Sequence, residues 1–334
     1  MTVSERHGER RTPVVTGLEQ LRRLPRIITL GTFDGVHRGH QFLIDATVRR
    51  ATELGLPSLA VTFEPIPAMV LRPGAFPGRL CSAAEKIERI GARGLDEICV
   101  IPFSRDFSER TAEDFIAELV ERTAPVEILV GEAFALGRGR GGDVARLTAL
   151  GREHGYMLRA VPRISDGDEI VSSSAIRQAI VQGRPEKATH FLGRPFRVTG
   201  PVIHSSHYGR QIGFPTANVM PPSDLVPVAD GIYASFAWVP GEPGPRQAMT
   251  YVGTRPTVNT GVRQIETHLL DFDGDLYGYT LGVDLLYRLR PDQYFPTVTA
   301  MIDQLRSDEV ATRKYLASHG AETAILDGTS EFPS

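Results

Sequence analysis

Two histidines in a short glycine-rich stretch have the types and the spacing that phosphate chemistry requires. His37 and His40 lie three residues apart in Gly31–His40, which directly follows the apolar run Ile27–Leu30. An apolar run that ends in glycine before a helically spaced segment predicts a strand, a tight turn and a helix. Both imidazoles would then lie on the first helical turn, where free backbone N–H groups favour a bound anion. With Gly39 leaving the backbone open to phosphate, the stretch fits nucleotidyl transfer from a nucleoside triphosphate.

A second candidate phosphate-binding stretch is Ser172–Arg177, which follows another strand-like run. The hydroxyls of Ser173 and Ser174 are neutral donors, and the Arg177 guanidinium adds a fixed positive fork. Serines before a helix also act as simple N-caps, which is the plainer interpretation of this stretch taken alone. Its occurrence together with Gly31–His40 favours phosphate binding.

Oxygen donors in the second half of the chain predict another phosphate site. Gly209 and Gly213 precede a Phe-Pro-Thr-Ala-Asn run that contains Thr216 and Asn218. Glycines let a loop approach phosphates, and hydroxyl and amide oxygens are hard ligands that Mg²⁺ accepts. A turn with unusual dihedral angles is the structural alternative.

Farther along the chain, Glu266 lies in a strand-like run and alternates out of phase with its apolar neighbours. Without further context we expect a solvated side chain. The alternative is a general base that accepts the proton of a substrate hydroxyl.

The composition excludes several classes of protein. The chain has 334 residues, 41% of them hydrophobic, and a net charge of −3, so two domains are expected and neither nucleic acid nor a membrane surface is an expected partner. Cys81 and Cys99 lie in apolar segments, and the sequence shows no signal-peptide pattern. Both observations predict reduced core cysteines and a cytoplasmic protein.

The glycine- and arginine-rich stretch 137–142 lacks the spacing of a dinucleotide-binding turn, so a basic loop is expected there.

The spacing of apolar residues differs between the two halves of the chain, and each pattern predicts its own fold. Strand-like runs alternate with helical segments up to residue 183, which indicates a parallel sheet with helices on both faces. These runs are Arg26–Leu30, Ser58–Phe63, Glu97–Phe103, Val126–Val130 and Met157–Ile164. Short strands and turns then predict a small antiparallel β-barrel, and helical spacing from Val298 to Leu305 predicts a C-terminal helix packed on it. The barrel runs are Phe196–His204, Gly231–Val239, Gln247–Val252, Gln264–Asp271 and Tyr279–Leu289.

Taken in order, these motifs resemble those of the bacterial bifunctional riboflavin kinase/FMN adenylyltransferase family, the FAD synthetases. Gly31–His40 resembles the adenylyltransferase signature, and Ser172–Arg177 resembles the second nucleotide-binding motif. Gly213–Asn218 resembles the phosphate and magnesium motif of the kinase. The remaining kinase blocks are similar to Gly231-Ile232-Tyr233, to residues 253–257, and to Glu266–Asp271 with Tyr277-Gly278.

The resemblance implies an α/β protein whose N-terminal parallel-sheet, Rossmann-like nucleotidyltransferase domain precedes a small antiparallel β-barrel riboflavin kinase domain with a C-terminal helix. The implied bounds are 15–183 for the first domain, 184–194 for a linker and 195–320 for the second domain, with loose ends at 1–14 and 321–334. It also implies two ATP-dependent steps, in which riboflavin is phosphorylated to FMN and FMN is adenylylated to FAD with release of pyrophosphate.

Roles for single residues follow from the resemblance. Glu266 would be the base on the ribityl 5′-hydroxyl, while Thr216 and Asn218 hold Mg²⁺ against the phosphates of ATP. In the other half, His37, His40 and Arg177 would stabilise charge on the α-phosphorus during transfer. The implied nucleotide- and substrate-binding residues are Gly31, Phe33, Asp34, Gly39, Ser173, Ser174, Gly209, Gly213, Pro215, Thr216 and Asn218.

In the N-terminal half, two positions depart from the family pattern. Ile66 stands where family members usually carry a histidine between two prolines, and Ala133 stands where a polar Asp or Asn is typical. Each change removes a hydrogen-bonding side chain, at about 1–3 kcal/mol per lost contact. In the kinase half, Ser205 stands where a glycine is typical. A riboflavin kinase whose N-terminal half is weak, inactive or retuned to another nucleotide or flavin is therefore an alternative, and a non-catalytic flavin-binding regulator is a further one. Oligomerisation is possible but not indicated by the sequence.

Overall fold

The computed structural model describes residues 12–204, 209, 212–253 and 264–325, with side chains through residue 319. Backbone contacts divide the chain into two compact units. The first contains the residues up to Phe76 together with Ala83–Val171, and the second contains Pro77–Ser82 together with the residues from Ser172 onward. Within these described ranges, every helix is too short or too polar to cross a membrane.

The first unit is a parallel sheet flanked by helices. Its strands are β1 (Val14–Thr16), β2 (Arg26–Leu30), β3 (Ser58–Glu64), β4 (Glu97–Pro102), β5 (Pro125–Gly131), β6 (Ala135–Leu136), β7 (Gly142–Asp143), β8 (Met157–Val161), β9 (Ser165–Asp166) and β10 (Glu169–Ile170). Its helices are α1 (Arg38–Leu54), α2 (Pro67–Leu71), α3 (Ala83–Gly91), α4 (Arg105–Ser108), α5 (Ala112–Thr123) and α6 (Val144–His154). Six strands form the sheet in the order β1-β4-β3-β2-β5-β8, while β6–β7 and β9–β10 form two small hairpins.

Helices cover both faces of this sheet, which explains the nearly unbroken apolar character of its strands. Ile28 and Leu30 of β2 pack in the layer that contains residues of α5 and α6. The intervening Ile27 packs in the opposite layer, with residues of α1 and α3. The predicted parallel sheet between two helical layers is confirmed.

The strand order places β2 at a topological switch point. From β2 the chain proceeds to β3 and then β4 on one side, and it returns to add β5 and then β8 on the other side. Crossovers that leave in opposite directions open a crevice at the carboxyl ends of the strands, where ligands of open α/β sheets bind. Gly31–His40 follows β2 directly and therefore begins at this crevice.

The second unit is a closed antiparallel barrel with a long C-terminal helix. Its elements are α7 (Ser173–Val181), α8 (Pro185–Leu192), β11 (Phe196–Ile203), β12 (Ala217–Val219), β13 (Gly231–Trp238), β14 (Arg246–Gly253), β15 (Gln264–Leu269), β16 (Thr280–Pro291) and α9 (Val298–Ile325). The strands follow the order β11-β12-β15-β14-β13-β16, and β16 closes the barrel because it pairs with both β11 and β13.

Helix α9 covers part of the outer barrel surface, as the spacing of its apolar residues predicts. Leu316 packs with Phe236 and Leu286 in one buried cluster. Nearer the helix start, Ile302 and Leu305 pack against a second cluster that is formed by Phe214, Ile232 and Met249. The predicted barrel and its C-terminal helix are therefore confirmed.

Short elements are where the structure differs from the sequence pattern. β1 and β12 have three residues each, too few to show a period, and neither is predicted. The interval 184–194, predicted as a linker, contains α8, whose Phe191 and Leu192 are buried. The predicted domain bounds stay a prediction. Ser205 and residues 254–257 of the kinase blocks lie outside the described residues.

One buried ion pair holds the seam that closes the barrel. Asp284 on β16 accepts two hydrogen bonds from Arg197 on β11, at 2.6 and 2.7 Å, and one from the indole N–H of Trp238 on β13, at 2.6 Å. The Arg197 guanidinium also stacks over the Trp238 ring at 4.6 Å. Three strands therefore meet at one carboxylate that is 3% exposed.

We expect Asp284→Ala to lower the free energy of unfolding of the barrel by about 3 kcal/mol, because it leaves a partly buried guanidinium without its carboxylate. Trp238 is the single tryptophan of the chain and lies in the barrel, so urea unfolding followed by its fluorescence measures this unit. Asp303→Ala is the matched control, because that carboxylate is 66% exposed and pairs with Arg306 at 3.5 Å; its loss should cost less than about 0.5 kcal/mol. Equal effects of the two substitutions would contradict the structural role of Asp284.

Candidate active sites

The stretch Gly31–His40, called the histidine turn below, is a strained reversal between β2 and α1. The Gly31 N–H still continues the ladder by donating to the Val61 carbonyl at 3.1 Å. Phe33 and Val36 then adopt the left-handed region, with φ of 50° and 42°. A β-branched residue in this region is a genuine outlier, and such strain concentrates where a site must be held in place. The non-helical part of this stretch ends at His37, the N-cap residue that precedes α1.

His37 and His40 form one stacked unit. His37 is the N-cap of α1, and its Nδ1 accepts a hydrogen bond from the His40 backbone N–H at 3.4 Å. The two rings stack with centroids 3.6 Å apart, and the Phe33 ring lies edge-on to His40 at 5.4 Å. Because Nδ1 of His37 accepts, its Nε2 carries the proton when the ring is neutral.

Two glycines make this packing possible. A Cβ on Gly39 would lie 3.2 Å from Cε1 of His37, and a Cβ on Gly31 would lie 2.7 Å from the Phe33 ring. Gly31 therefore leaves the space that the Phe33 ring occupies, and a side chain at Gly39 would make a tight contact with the His37 ring. Approach of a phosphate to Gly39, the reason suggested by the sequence, stays a prediction.

The surroundings of His40 disfavour its protonated form. Burial of the ring lowers its pKa well below the usual 6.5, and the neighbouring charges of His37 and Lys86 lower it further. The His40 Nδ1 is buried and has no hydrogen-bond partner among the described residues. Of the two possibilities that the sequence leaves open, a cationic ring or a hydrogen-bonding one, the structure favours the second for His40.

Lys86 is a residue near this turn that sequence reasoning missed. It is 2% exposed on α3, where its Nζ donates to the Phe63 carbonyl at 2.9 Å and pairs with Glu64 at 2.7 Å. A lysine four residues before the buried Ile90, on the same face of an amphipathic helix, is the signal that could have identified it. It brings a fixed positive charge to the carboxyl end of β3.

The second motif lies in the second unit. The Ser172 hydroxyl accepts from the Ala175 N–H at 3.2 Å, so this serine is the N-cap of α7. Ser173 and Ser174 lie in the first turn, and Ser174 is exposed. The Arg177 Nε donates to the Gly78 carbonyl at 2.6 Å. The histidine turn and this helix start belong to different units, so each is described separately.

The two residues that depart from the family pattern differ in exposure. Ile66 is 3% exposed and is the N-cap of α2. Ala133 is exposed, and its carbonyl accepts from Arg140 at 3.2 Å. The neighbouring Glu132 pairs with Arg163 at 3.4 Å, on the surface.

In the second unit, Asn218 and Glu266 meet across two paired strands. Asn218 on β12 lies directly opposite Glu266 on β15 in the antiparallel register. Directly opposed residues have Cβ atoms about 4.5–5.5 Å apart, so their side chains share one face. Glu266 is 6% exposed, so the expectation of a solvated side chain is wrong. Local alternation assigns this side chain to a face of β15, but it cannot reveal that the face lines a cavity shared with residues of α9.

A cavity of about 340 Å³ lies between the outer barrel face and α9, and we call it the outer-face cavity. Its apolar lining is formed by Ile212, Phe214, Ile232, Met249, Phe295, Met301 and Leu305. Its polar lining includes Thr216, Tyr251, Glu266, His268, Arg290, Asp292 and Gln293. A mostly apolar pocket with a few polar groups has the character of a site for a small organic molecule.

The loop before β12 brings its own polar atoms to this cavity. The Phe214 N–H donates to the Gly209 carbonyl at 2.8 Å, and a Cβ on Gly209 would lie 2.3 Å from the Phe214 carbonyl oxygen. Gly213 has a φ of +86°, which a glycine adopts without strain. Thr216 lines the cavity, and the buried Asn218 Oδ1 has no hydrogen-bond partner within the described ranges.

Further polar residues around the cavity were missed by sequence reasoning. The Tyr251 hydroxyl donates to Asp292 at 3.1 Å, and burial first, then the charges of Asp292 and Glu266, raise its pKa above the ordinary value. Arg290 is fixed by hydrogen bonds of 2.8–3.1 Å to Asp308 on α9. Alternation along β14 and β16 assigns Tyr251 and Arg290 to a face, but it does not show that this face bounds a cavity.

Two family models match consecutive parts of the chain. The model for FAD synthetase matches residues 20–175, and the model for riboflavin kinase matches residues 192–316. The chain belongs to the bifunctional riboflavin kinase/FMN adenylyltransferase family. Curated members from Escherichia coli (strain K12) and Pseudomonas fluorescens are 36% and 35% identical to it, over 90% and 91% of this chain and 97% and 98% of theirs.

A solved structure shares the fold across both units. A protein from Streptococcus pneumoniae, described as a macrolide-efflux protein, has a TM-score of 0.81 and 28% identity to this chain. The likeness covers 90% of this chain and 98% of that one.

In this member of the family, the structure groups the predicted residues in three places. Gly31, Phe33, Asp34, Gly39 and both histidines share the histidine turn, where Phe33 and Asp34 are buried. Ser173, Ser174 and Arg177 lie at the start of α7. The cavity, its strands β12 and β15, and the loop before β12 hold Gly209, Gly213, Pro215, Thr216, Asn218 and Glu266. Among the described residues, no three His, Cys, Asp or Glu side chains form a metal cluster, and Cys81 and Cys99 are buried free thiols.

We expect the His40 ring to remain neutral at pH 6, where a histidine with the usual pKa of 6.5 is mostly protonated. Below pH 6.5 the unfolded chain binds a proton at His40 more readily than the folded protein does. The contribution of His40 to folding stability therefore falls as the pH drops below 6.5. An NMR titration of the His40 ring resonance measures the pKa, with His40→Gln to assign the signal. A midpoint at or above 6.5 would contradict the burial of the ring.

Proposed function

We propose that the two activities of this family, riboflavin kinase and FMN adenylyltransferase, are divided between the outer-face cavity and the histidine turn. Both activities use ATP, and together they convert riboflavin to FAD. The observation that carries the proposal is Glu266, a carboxylate buried in a mostly apolar cavity and directly opposite Asn218. This arrangement supports a base held beside a bound aromatic substrate.

For the kinase step, the flavin ring occupies the apolar part of the outer-face cavity and its ribityl chain extends toward Glu266. The carboxylate takes the proton of the 5′-hydroxyl as that oxygen bonds to the γ-phosphorus of ATP, and ADP leaves with the electrons of the broken P–O bond. Positioning and charge stabilisation supply most of the catalysis in such transfers. The products are FMN and ADP.

Thr216 and Asn218 fit a magnesium ion. The Asn218 Oδ1 is buried without a hydrogen-bond partner in the part of the chain that is described, so it has the capacity to bind a cation. Mg²⁺ keeps several waters and binds substrate phosphates, so two neutral protein oxygens suit it better than a cage of carboxylates. When bound there, the ion would neutralise charge on the phosphate oxygens.

For the adenylylation step, the histidine turn binds the phosphates of a second ATP. The FMN phosphate attacks the α-phosphorus, and pyrophosphate leaves. A phosphate monoester has a second pKa of about 6, so its dianion is already a nucleophile at neutral pH and no base is required. His37, with a proton on Nε2, and the neutral His40 then act as hydrogen-bond donors to the phosphate oxygens.

The remaining predicted residues of the first unit support this step. Gly31, Phe33, Asp34 and Gly39 form the turn that holds the triphosphate near the N-terminus of α1. For Ser173, Ser174 and Arg177, at the start of α7 in the second unit, phosphate binding stays a prediction.

A second candidate function keeps the kinase and weakens or retunes the adenylyltransferase. The observation that favours it is Ile66, an apolar side chain that is 3% exposed where family members usually carry histidine. The exposed Ala133 removes another polar side chain. Formation of FMN without FAD from riboflavin, ATP and Mg²⁺ would favour this candidate, whereas accumulation of FAD favours the two-step enzyme.

We expect His37→Ala to lower the rate of FAD formation from FMN by about 100-fold, because the turn loses its donor to the phosphates. Riboflavin phosphorylation should stay within about twofold of the unchanged protein, since Glu266 and Thr216 are untouched. His154→Ala, at the exposed end of α6, is the control. Parallel loss of both activities would rule out two separate sites.

Glu266→Gln should have the opposite effect. We expect riboflavin phosphorylation to fall by about 100-fold or more, because the base is lost while the side chain keeps its shape. Conversion of supplied FMN to FAD should be unchanged. Separation of the flavins by chromatography measures both rates, with Glu242→Gln as the control. Unchanged phosphorylation by Glu266→Gln would show that this carboxylate is not the base.

A further inference from the structure

His268 connects the cavity strand β15 to the loop that carries Thr216. It lies two residues after Glu266, so both side chains point to the same face of the strand, and both line the outer-face cavity. Its Nδ1 lies 2.7 Å from the carbonyl oxygen of Pro215. Its ring also meets Phe214 in an edge-to-face contact, with centroids 5.5 Å apart.

This hydrogen bond acts at the point where the strand ladder stops. Paired residues on β12 and β15 begin at Ala217, opposite Thr267, so Thr216 lies just outside the ladder. Pro215 has no N–H to donate. Its carbonyl, however, belongs to the same planar peptide unit as the Thr216 nitrogen. A bond to that oxygen therefore fixes the orientation of the peptide that leads into Thr216.

The chemistry of the pair determines the tautomer. A carbonyl oxygen only accepts hydrogen bonds, so the proton must reside on Nδ1 of His268. The ring is held in one orientation by this bond and by the contact with Phe214.

We propose that His268 is a positioning residue for phosphoryl transfer, which holds Thr216 in register with Glu266 through the Pro215 carbonyl. The inference rests on the proposed function for the roles of Thr216 and Glu266. His268 touches neither reacting atom in this role. It acts on the loop, as outer partners of metal and phosphate ligands do.

Three substitutions test the role of Nδ1. The amide nitrogen of asparagine can occupy the place of Nδ1, that of glutamine reaches the place of Nε2, and leucine keeps only the apolar contact with Phe214. We expect His268→Leu and His268→Gln to lower kcat/KM for MgATP in FMN formation by about tenfold or more, with the Kd for riboflavin within about twofold. His268→Asn should stay within about threefold of the unchanged protein.

Several results would overturn the proposal. Unchanged kinetics of His268→Leu would show that the bond does not matter, and rescue by glutamine but not asparagine would assign the function to Nε2. A matching loss of riboflavin affinity would show that the ring shapes the flavin cavity instead. Circular dichroism of each variant verifies that the barrel is folded.

A second measurement separates this inference from the proposed function. The ¹⁵N resonances of the His268 ring report its tautomer without any reaction, and we expect a proton on Nδ1. If Glu266→Gln keeps full kinase activity, the proposed base is wrong, whereas an unprotonated Nδ1 overturns only the role of His268.

Discussion

In the proposed kinase mechanism, the central constraint is one buried carboxylate on the outside of the barrel. The interior of a small barrel is largely filled by side chains, so a site on the outer face is the natural alternative. Glu266 is 6% exposed and lines the outer-face cavity together with Met301 and Leu305 of α9. Removing a carboxylate from water is costly, and a buried carboxylate that lines a cavity is therefore a candidate for chemistry.

The same arrangement explains why two paired strands carry the polar groups of this site. Register places Asn218 opposite Glu266, and the hydrogen bond from His268 extends the order of the sheet to the loop that precedes β12.

In the first unit, the turn after β2 obtains its shape from local packing. Left-handed Phe33 and Val36 turn the chain, and two glycines leave space for the aromatic rings. In the two proposed sites the candidate groups lie on or directly beside regular elements, which would limit the reorganisation needed during transfer.

Local signals in the sequence predict a large part of this structure. The apolar runs that became β2, β3 and β4 are long enough to show their type, and the spacing around Leu305 shows that the C-terminal helix has a buried face. Strands of three residues, such as β12, have no measurable period. Alternation assigns Glu266 to a face of its strand, but it does not reveal the cavity that Glu266 lines together with Met301 and Leu305, which lie much farther along the chain. Lys86 and the bond between His268 and Pro215 likewise depend on contacts between elements that are distant in sequence.

The division of two chemistries between two sites can be followed through the phosphorus atoms of ATP. The protein is incubated with riboflavin, Mg²⁺ and ATP that carries labelled phosphorus at either the γ or the α position, and the flavins are then separated. Two successive steps predict that γ-label enters FMN and persists in FAD, whereas α-label enters FAD alone. FMN that gains γ-label while no flavin gains α-label would contradict the adenylyl-transfer role of the histidine turn, and an absence of γ-label from FMN would contradict the kinase role of Glu266.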